Sequence, residues 1–393
     1  MTLPGGASAL ADDAPTANPA ATPPRPPAFR SFLMGGFECA THRRADRARV
    51  DVIAATAHDR HAAQDYGLLA AHGITTARDG LRWHLIDRGN GCYDWSSWLP
   101  QLRAARDAGV EVVWDLLHWG YPDDLDLFSP AFVTRFAAFA AAAARVHASE
   151  IGTAPLWLPV NEVSFWAWIG GTHAAFAPYG GGGWELKAQC VRAALAAVAE
   201  CRAVDPRARI AVAEPMIRIH PVEDASDEQM WHAACANDAQ YEALDMLLGR
   251  RNPELGGHEG SVDLIGLNYY TNNQWELDGA RVWPGHPAYR PPRDLLAEVN
   301  ARYARPIFIA ETGCEGTFRP AWLRFVADEV AAARAAQVPV EGICLYPVLD
   351  HPGWDDGRHC PNGLFDGCGD RAVYAPLAGE VAAQRARFGG STG

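Results

Sequence analysis

Two glutamates in the sequence each close a short apolar run. Glu162 follows Asn161 after the run at 156–160, and Glu311 directly follows the run at 307–310. A charged side chain placed against a core segment usually has a role. Two facing carboxyl groups suit the hydrolysis of a glycosidic bond, in which one acid protonates the leaving oxygen and one carboxylate works on the opposite face of the sugar. A separation of about 5–5.5 Å would retain the configuration of the sugar.

The hydrophobic pattern predicts a scaffold that brings these distant segments together. The predicted strands are 32–38, 75–83, 110–118, 156–162, 209–214, 264–270, 307–311 and 342–348. The predicted helices, one after each strand, are 59–72, 95–108, 130–148, 184–204, 231–248, 293–303, 320–336 and 375–388. Strands that alternate with helices predict a parallel sheet, and eight such units favour closure into a barrel.

The predicted fold class is therefore α/β, as a single (β/α)8 TIM barrel. Both glutamates lie at the C-terminal ends of predicted strands, the fourth and the seventh, where active sites of this fold are found. These two strands lie across the barrel mouth from each other, so their side chains can face each other over a cleft. Repulsion between the two carboxyl groups would keep one of them protonated near neutral pH.

Composition excludes several other classes of protein. The net charge of −13 argues against a nucleic-acid partner, and no stretch approaches eighteen uninterrupted apolar residues, so a membrane span is not expected. The nine cysteines include no CxxC pair, which favours reduced thiols in a cytoplasmic protein over a zinc site. The oligomeric state is left open.

The ends of the chain differ from the rest in composition. Residues 1–28 are rich in alanine, proline and threonine and lack the basic start and apolar stretch of a secretory signal. Such a segment buries too little apolar surface to offset its ordering entropy, so we expect a disordered leader. The expected catalytic domain covers 29–389, and 390–393 is expected to be a loose tail.

The order of short motifs adds a resemblance to a known family. The segments that carry it are LPVNEVSF around Glu162, IFIAETG around Glu311, ARDGLRW at 77–83, LLHWGYPDDL at 116–125, IGLNYYTNN at 265–273, VLDHPGW at 348–354 and NGLFD at 362–366. Together they resemble clan A glycoside hydrolases and, most specifically, glycoside hydrolase family 1, the β-glucosidase family. The likeness extends over nearly all of 32–388.

The resemblance implies a role for each matching residue. Glu162 would be the acid/base, and Glu311 the nucleophile that forms a covalent glycosyl-enzyme. Arg78 and Tyr270 would orient Glu311 and keep it anionic, and Asn161 would hold the hydroxyl next to the anomeric carbon. The candidate substrate-binding residues are Arg78, His118, Trp119, Asn161, Asn268, Tyr270, Tyr346, Trp354, Glu38 and His42. The implied activity is that of a retaining, exo-acting β-glycosidase on a small glycoside or oligosaccharide, without a cofactor.

Several positions depart from the family pattern. Val163 follows the strand-four glutamate where the family usually has proline, and Gly353 stands where the family has a glutamate that grips the far hydroxyls of the sugar. The glutamine that binds sugar at strand one has no match. His42 falls there by register, and Glu38 lies one turn earlier. These departures concern the identity of the sugar more than the chemistry.

Three alternative functions use the same barrel. A transglycosidase would share the catalytic pair, and a non-catalytic sugar-binding barrel would be favoured if either glutamate were missing. A metal-dependent hydrolase would need several histidines at strand ends, but His118 alone closes a predicted strand. The polar loop with Asp350, Asp355, Asp356 and His359 lacks a compact ligand spacing. We therefore expect no metal site.

Overall fold

The protein, described by a computed structural model over residues 27–389, folds as a closed barrel of eight parallel strands. The strands, labelled β1 to β8 in chain order, are Leu33–Gly36, Thr76–Gly80, Glu111–Asp115, Leu156–Leu158, Arg209–Pro215, Leu264–Asn268, Ile307–Thr312 and Val340–Leu345. Each strand pairs with the next one along the chain, and β8 pairs with β1. The predicted TIM barrel is confirmed. Most of the predicted leader and the whole of the predicted tail lie outside the described residues.

Helices cover the outside of the barrel. The main ones, labelled α1 to α9, are His58–Ala71, Leu99–Asp107, Pro130–Glu150, Gly183–Val204, Asp227–Ala239, Glu242–Leu247, Pro292–Tyr303, Arg319–Ala335 and Ala375–Gly389. Short helices at Trp83–Ile86 and Val163–Trp166 follow β2 and β4 at the barrel mouth. None of the helices within 27–389 is both long and apolar enough to cross a membrane.

The helix predicted over 231–248 is wrong in one respect, because two helices, α5 and α6, replace it. The break falls at Gln240 and Tyr241. The side chain of Asn237 accepts from the backbone N–H of Ile219 at 2.8 Å, and Gln240 accepts from that of Ile217 at 3.0 Å. These hydrogen bonds link the two amide side chains to the segment after β5, and they compete with the formation of a continuous helix.

The core has two layers. Inside the barrel, alanines pack among leucines and aromatic rings, and Phe29 packs at the bottom with its ring centroid 5.0 Å from that of Phe308. Between the strands and the helices lies a larger core rich in aromatic rings, in which Trp98, Trp114 and Trp157 are fully buried. Strands buried on both faces tend to read as apolar runs, as β4 and most of β7 do, although β2 also carries the buried residues Arg78 and Asp79.

A buried polar cluster joins β2, α1 and the C-terminal part of the chain. His58 lies between two carboxylates, with Nδ1 2.8 Å from Asp65 and Nε2 3.1 Å from Asp79. Tyr66 donates to Asp79 at 2.8 Å, and Arg371 donates to Asp65 at 2.7 Å. Burial by itself would lower the pKa of His58, but the two aspartates outweigh it and raise the pKa to about 9. A protonated His58 thus ties α1 to the barrel.

Candidate active site

The two glutamates of the sequence analysis lie at the same end of the barrel. Glu311 lies in β7, one residue before its end, and Glu162 follows β4 by four residues. The backbone N–H of Glu162 donates to the carbonyl of Ala213 in β5 at 2.9 Å, which holds it against the neighbouring strand. All C-terminal strand ends of a parallel barrel meet at one mouth, so both carboxyl groups point into the same region.

Glu311 accepts hydrogen bonds at both carboxylate oxygens. Nη1 of Arg78 donates to Oε1 at 2.6 Å, and the hydroxyl of Tyr270 donates to Oε2 at 2.8 Å. Both groups favour the anionic form of Glu311. The neighbouring Tyr269 points the other way and bonds to Tyr289 at 3.0 Å, as the alternation of side chains along a strand requires.

Arg78 is completely buried and uses all five of its N–H groups. Nε and Nη2 donate to the two oxygens of Asp115 at 2.9 and 2.6 Å, and Nη2 also donates to Oδ1 of Asn161 at 2.7 Å. Nη1 donates to Glu311 and to the carbonyl of Ala310. This fork of N–H groups joins β2, β3, β7 and the segment after β4 through one planar group, so the position of the nucleophile candidate depends on four parts of the barrel.

Glu162 has a different environment from Glu311. Among the described residues, its side chain accepts a single hydrogen bond, from Nδ2 of Asn268 at 2.8 Å, and the residue is 7% exposed. Its backbone is left-handed, with φ of 44°, a conformation that residues with a side chain adopt mainly where the surroundings impose it. The indole of Trp119 donates to the carbonyl of Asn161 at 2.9 Å and helps to hold this segment.

Burial and mutual repulsion divide one proton unequally between the pair. Burial raises the pKa of both carboxyl groups. At Glu162 the negative charge of Glu311 adds to this effect and raises the pKa well above its usual range. At Glu311 the positive charge of the Arg78 guanidinium lowers the pKa, against the effect of burial, and the hydrogen bond from the Tyr270 hydroxyl lowers it further. The shared proton therefore resides on Glu162, and Glu311 is the carboxylate.

A third glutamate lies behind Glu162. Glu214 of β5 is buried and accepts from the backbone N–H of Ser164 at 3.1 Å. Burial raises the pKa of Glu214 to about 7, against the effect of the Ser164 contact. Its charge also adds to the rise at Glu162. Glu214 thus supports both the position and the protonation of the acid candidate.

His118 is engaged at both ring nitrogens. Because Oδ1 of Asn161 accepts from Arg78, the amide nitrogen of Asn161 must donate to Nε2 of His118, 2.9 Å away. The ring proton is therefore assigned to Nδ1, which lies 3.2 Å from Oδ2 of Asp115 and 3.1 Å from Sγ of Cys39. His118 and Asn161 form one hydrogen-bonded unit with Arg78.

Cys39, Asp115 and His118 have ligand atoms within 4.8 Å of one another, and they are the one such group found in the described part of the chain. Both oxygens of Asp115 already accept from the Arg78 fork, and the guanidinium charge next to them opposes a metal ion. A hydrogen-bond network explains this group better than a metal site. The four polar residues of the loop at 350–359 do not form a group of this kind.

Aromatic rings line one side of the site. The indole rings of Trp119 and Trp354 meet edge to face at 5.3 Å, and Phe165 packs 5.2 Å from Trp119. His42 stacks on Phe176 at 4.0 Å and lies edge-on to both indoles. The candidate residues His42, Trp119 and Trp354 therefore share one wall, on the side of the barrel where β1, β3 and β8 end.

Tyr346 and Glu38 lie on the β1–β8 side of the site. The ring of Tyr346 is 5.2 Å from the Arg78 guanidinium carbon, a cation–π distance. A Cβ on Gly36 would lie 2.0 Å from this ring, so the close approach of Tyr346 requires glycine in β1. Glu38 follows two residues later and is buried.

Comparisons with known proteins agree with this architecture. No family model matches the sequence, and the search of curated proteins found no match. Solved structures match with high coverage. A β-glucosidase from Thermotoga maritima in complex with castanospermine superposes with a TM-score of 0.74 at 15% identity, covering 92% of this chain and 98% of that chain. The same enzyme in complex with deoxynojirimycin gives 0.72 at 15% identity, with 91% and 99% covered. The chain has the fold of these enzymes. A structure described as a family 1 β-glucosidase from the same organism gives 0.68 at 16% identity, over 84% and 87% of the two chains.

All twelve candidate site residues lie around one mouth of the barrel. Asp115 and Glu214, which hold Arg78 and the Glu162 segment in place, were not among the residues predicted from sequence. Both of these acids end an apolar strand, at 112–114 and 210–213. That is the signal by which Glu162 and Glu311 were found, so it could have located all four carboxylates.

Proposed function

We propose that the protein is a retaining glycoside hydrolase that releases a terminal sugar by double displacement. The observation that supports this best is the unequal environment of the two glutamates. Glu311 accepts from Arg78 and Tyr270, whereas Glu162 meets the amide of Asn268 alone and has the more strongly raised pKa. A buried acid beside an oriented carboxylate is the pairing that glycosidic cleavage needs.

In the first step an oxygen of Glu311 attacks the anomeric carbon, and the bond to the leaving oxygen breaks. The proton of Glu162 passes to that oxygen as it leaves. Formation of the ester removes the negative charge of Glu311, which lowers the pKa of Glu162, so Glu162 stays ionised after it has given up its proton. Glu162 next takes a proton from water, the water oxygen attacks the anomeric carbon, and Glu311 is released as a carboxylate.

The surroundings of the pair favour a pocket for one terminal sugar. The wall of Trp119, Trp354 and Phe165 closes one side, and an aromatic face suits the apolar C–H face of a sugar ring. Trp168, which is 51% exposed and packs beside Phe165, extends this surface towards solvent. We assign Trp168 to the leaving group's side of the site.

The decisive experiment combines a panel of nitrophenyl β-glycosides with covalent trapping. We expect wild-type protein to cleave at least one glycoside, Glu311→Ala to be inactive, and Glu228→Gln, a change on an exposed helix position, to match wild type. A 2-deoxy-2-fluoro glycoside of the preferred sugar should label the protein once, on Glu311. Inversion of configuration by NMR, or labelling elsewhere, would overturn the proposal.

A further inference from the structure

Glu38 faces the interior of the site. Met34 belongs to the core inside the barrel, and a side chain on Gly36 would point at Tyr346 in the same interior. Side chains alternate along an extended segment, so Glu38 points inward as well, one step nearer the mouth. Its side chain is 3% exposed, and its charge acts on Glu311 and Tyr270. Glu38 therefore lies beside the nucleophile candidate.

The carboxylate of Glu38 has few partners in the protein. Oε1 accepts from the backbone N–H of Ala40 at 2.8 Å and lies 3.8 Å from Nε2 of His118. Within residues 27–389 no hydrogen bond reaches Oε2 of Glu38, and this atom is not among the fully enclosed polar atoms that lack a partner. One oxygen of a buried carboxylate is thus open to the site.

The positively charged guanidinium of Arg78 makes all of its hydrogen bonds to groups other than Glu38. The five N–H groups of Arg78 go to Asp115, Asn161, Glu311 and the carbonyl of Ala310, and none goes to Glu38. Glu38, Asp115 and Glu311 thus share one guanidinium. A buried carboxylate without a counter-charge is costly, and a cationic ligand would compensate it.

Buried polar atoms that lack a hydrogen-bond partner are a second, independent indication of a ligand. Buried polar groups normally have a hydrogen-bond partner. Within residues 27–389, two such atoms around this site, Nε1 of Trp354 and Oδ1 of Asn268, have none. Burial, with a smaller effect of His118, lowers the pKa of His42 to about 3, so its ring is neutral and would not repel a cation.

We infer that Glu38 binds an ammonium group on the terminal sugar, so that the substrate of this site is a glycoside of an amino sugar. The inference rests on the proposed function and names its substrate class. It also offers a reason for Gly353. The carboxylate that recognises the sugar would be Glu38, in the segment after β1, in place of a glutamate in the segment after β8. A cation at Glu38 would also reduce the repulsion that Glu38 exerts on Glu311.

The test measures binding without turnover. Dissociation constants are determined by calorimetry at pH 6 for glucose, for its 2-amino, 3-amino, 4-amino and 6-amino deoxy derivatives, and for the N-acetyl form of each. A charge-assisted hydrogen bond in a buried site predicts that at least one amino sugar binds roughly tenfold or more tightly than glucose, and that acetylation removes the gain.

The variant Glu38→Gln should abolish this preference, so that glucose and the amino sugars bind to it with affinities within about threefold of one another. Glu228→Gln, with the same change of charge at an exposed position, should keep the wild-type pattern. Equal binding of glucose and all four amino sugars by wild-type protein would overturn the inference, whether or not Glu38→Gln folds. So would a preference that persists in a folded Glu38→Gln. Failure of the proposed function would be seen separately, as a lack of cleavage and of covalent labelling.

Discussion

Replacing Asp115 by asparagine tests whether the Arg78 fork prepares Glu311 for attack. Asp115 is completely buried and accepts from Nε and Nη2 of Arg78 at 2.9 and 2.6 Å. Burial would raise the pKa of Asp115, but Arg78 outweighs it, so the pKa lies below its usual value. Asparagine keeps the shape yet offers one acceptor, and its NH₂ group would face a guanidinium N–H.

The expected magnitude follows from the loss of a buried charged partner. Breaking a buried ion pair by removing one partner costs about 3–5 kcal/mol. The same guanidinium holds Glu311 at 2.6 Å, so we expect about 3 kcal/mol of this to act on the transition state. That corresponds to a loss of roughly a hundredfold in kcat/KM.

A matched control separates catalysis from stability. Asp87 is also buried and bidentate, accepting from Nε and Nη2 of Arg135 at 2.8 and 3.1 Å, on a different part of the barrel. Asp87→Asn should lower the thermal midpoint without lowering kcat/KM on the best nitrophenyl glycoside. If Asp115→Asn lost stability alone and kept kcat/KM within about threefold of wild type, the assigned role of the fork would be wrong.

Three further outcomes are expected. Glu162→Gln should slow glycosides with poor leaving groups far more than activated phenyl glycosides, because only the former need the proton; equal losses would contradict its role as acid. The profile of kcat/KM against pH should be bell-shaped. Activity should be lost below the raised pKa of Glu311 and above the still higher pKa of Glu162. A profile that is flat on either side would refute the assignment. His58 should stabilise the fold by about 3 kcal/mol below pH 6.5, with this contribution lost as pH rises towards 9, since its folded pKa is raised. Urea unfolding of wild type and His58→Gln at both ends of that range measures it, and a difference in stability that did not change with pH would disprove it.

The departure at Gly353 leads to a fifth expectation. Without the carboxylate that family 1 enzymes have there, plain glucosides should not be the preferred substrates by a wide margin. Charge-assisted bonds to sugar hydroxyls contribute about 1.5–3 kcal/mol each, enough to change which sugar is preferred. The glycoside panel measures this, and a glucoside cleaved better than every other glycoside by a large factor would contradict the expectation.

Most strands of this barrel could be predicted from sequence because each is buried on both faces. β4 and most of β7 are apolar and the polar residues that follow mark the mouth, whereas β2 carries the buried polar residues Arg78 and Asp79 within its length. The pattern therefore located β4 and β7 together with Glu162 and Glu311. It could not locate the break between α5 and α6, because that break depends on Asn237 and Gln240 reaching backbone groups of a distant segment.

The sequence by itself determined which residue types stand at each strand end, and hence the candidate chemistry. Only the tertiary structure decided how those side chains pair. The fork from Arg78 to Asp115 and Glu311 spans as many as 233 positions of chain, and the support of Glu162 by Asn268 spans 106. Such pairings arise when the barrel closes, because closure makes neighbours of strands that are far apart in sequence. In the closed barrel the N–H groups of Arg78 donate to Asp115 and Glu311, among others, and none of them donates to Glu38.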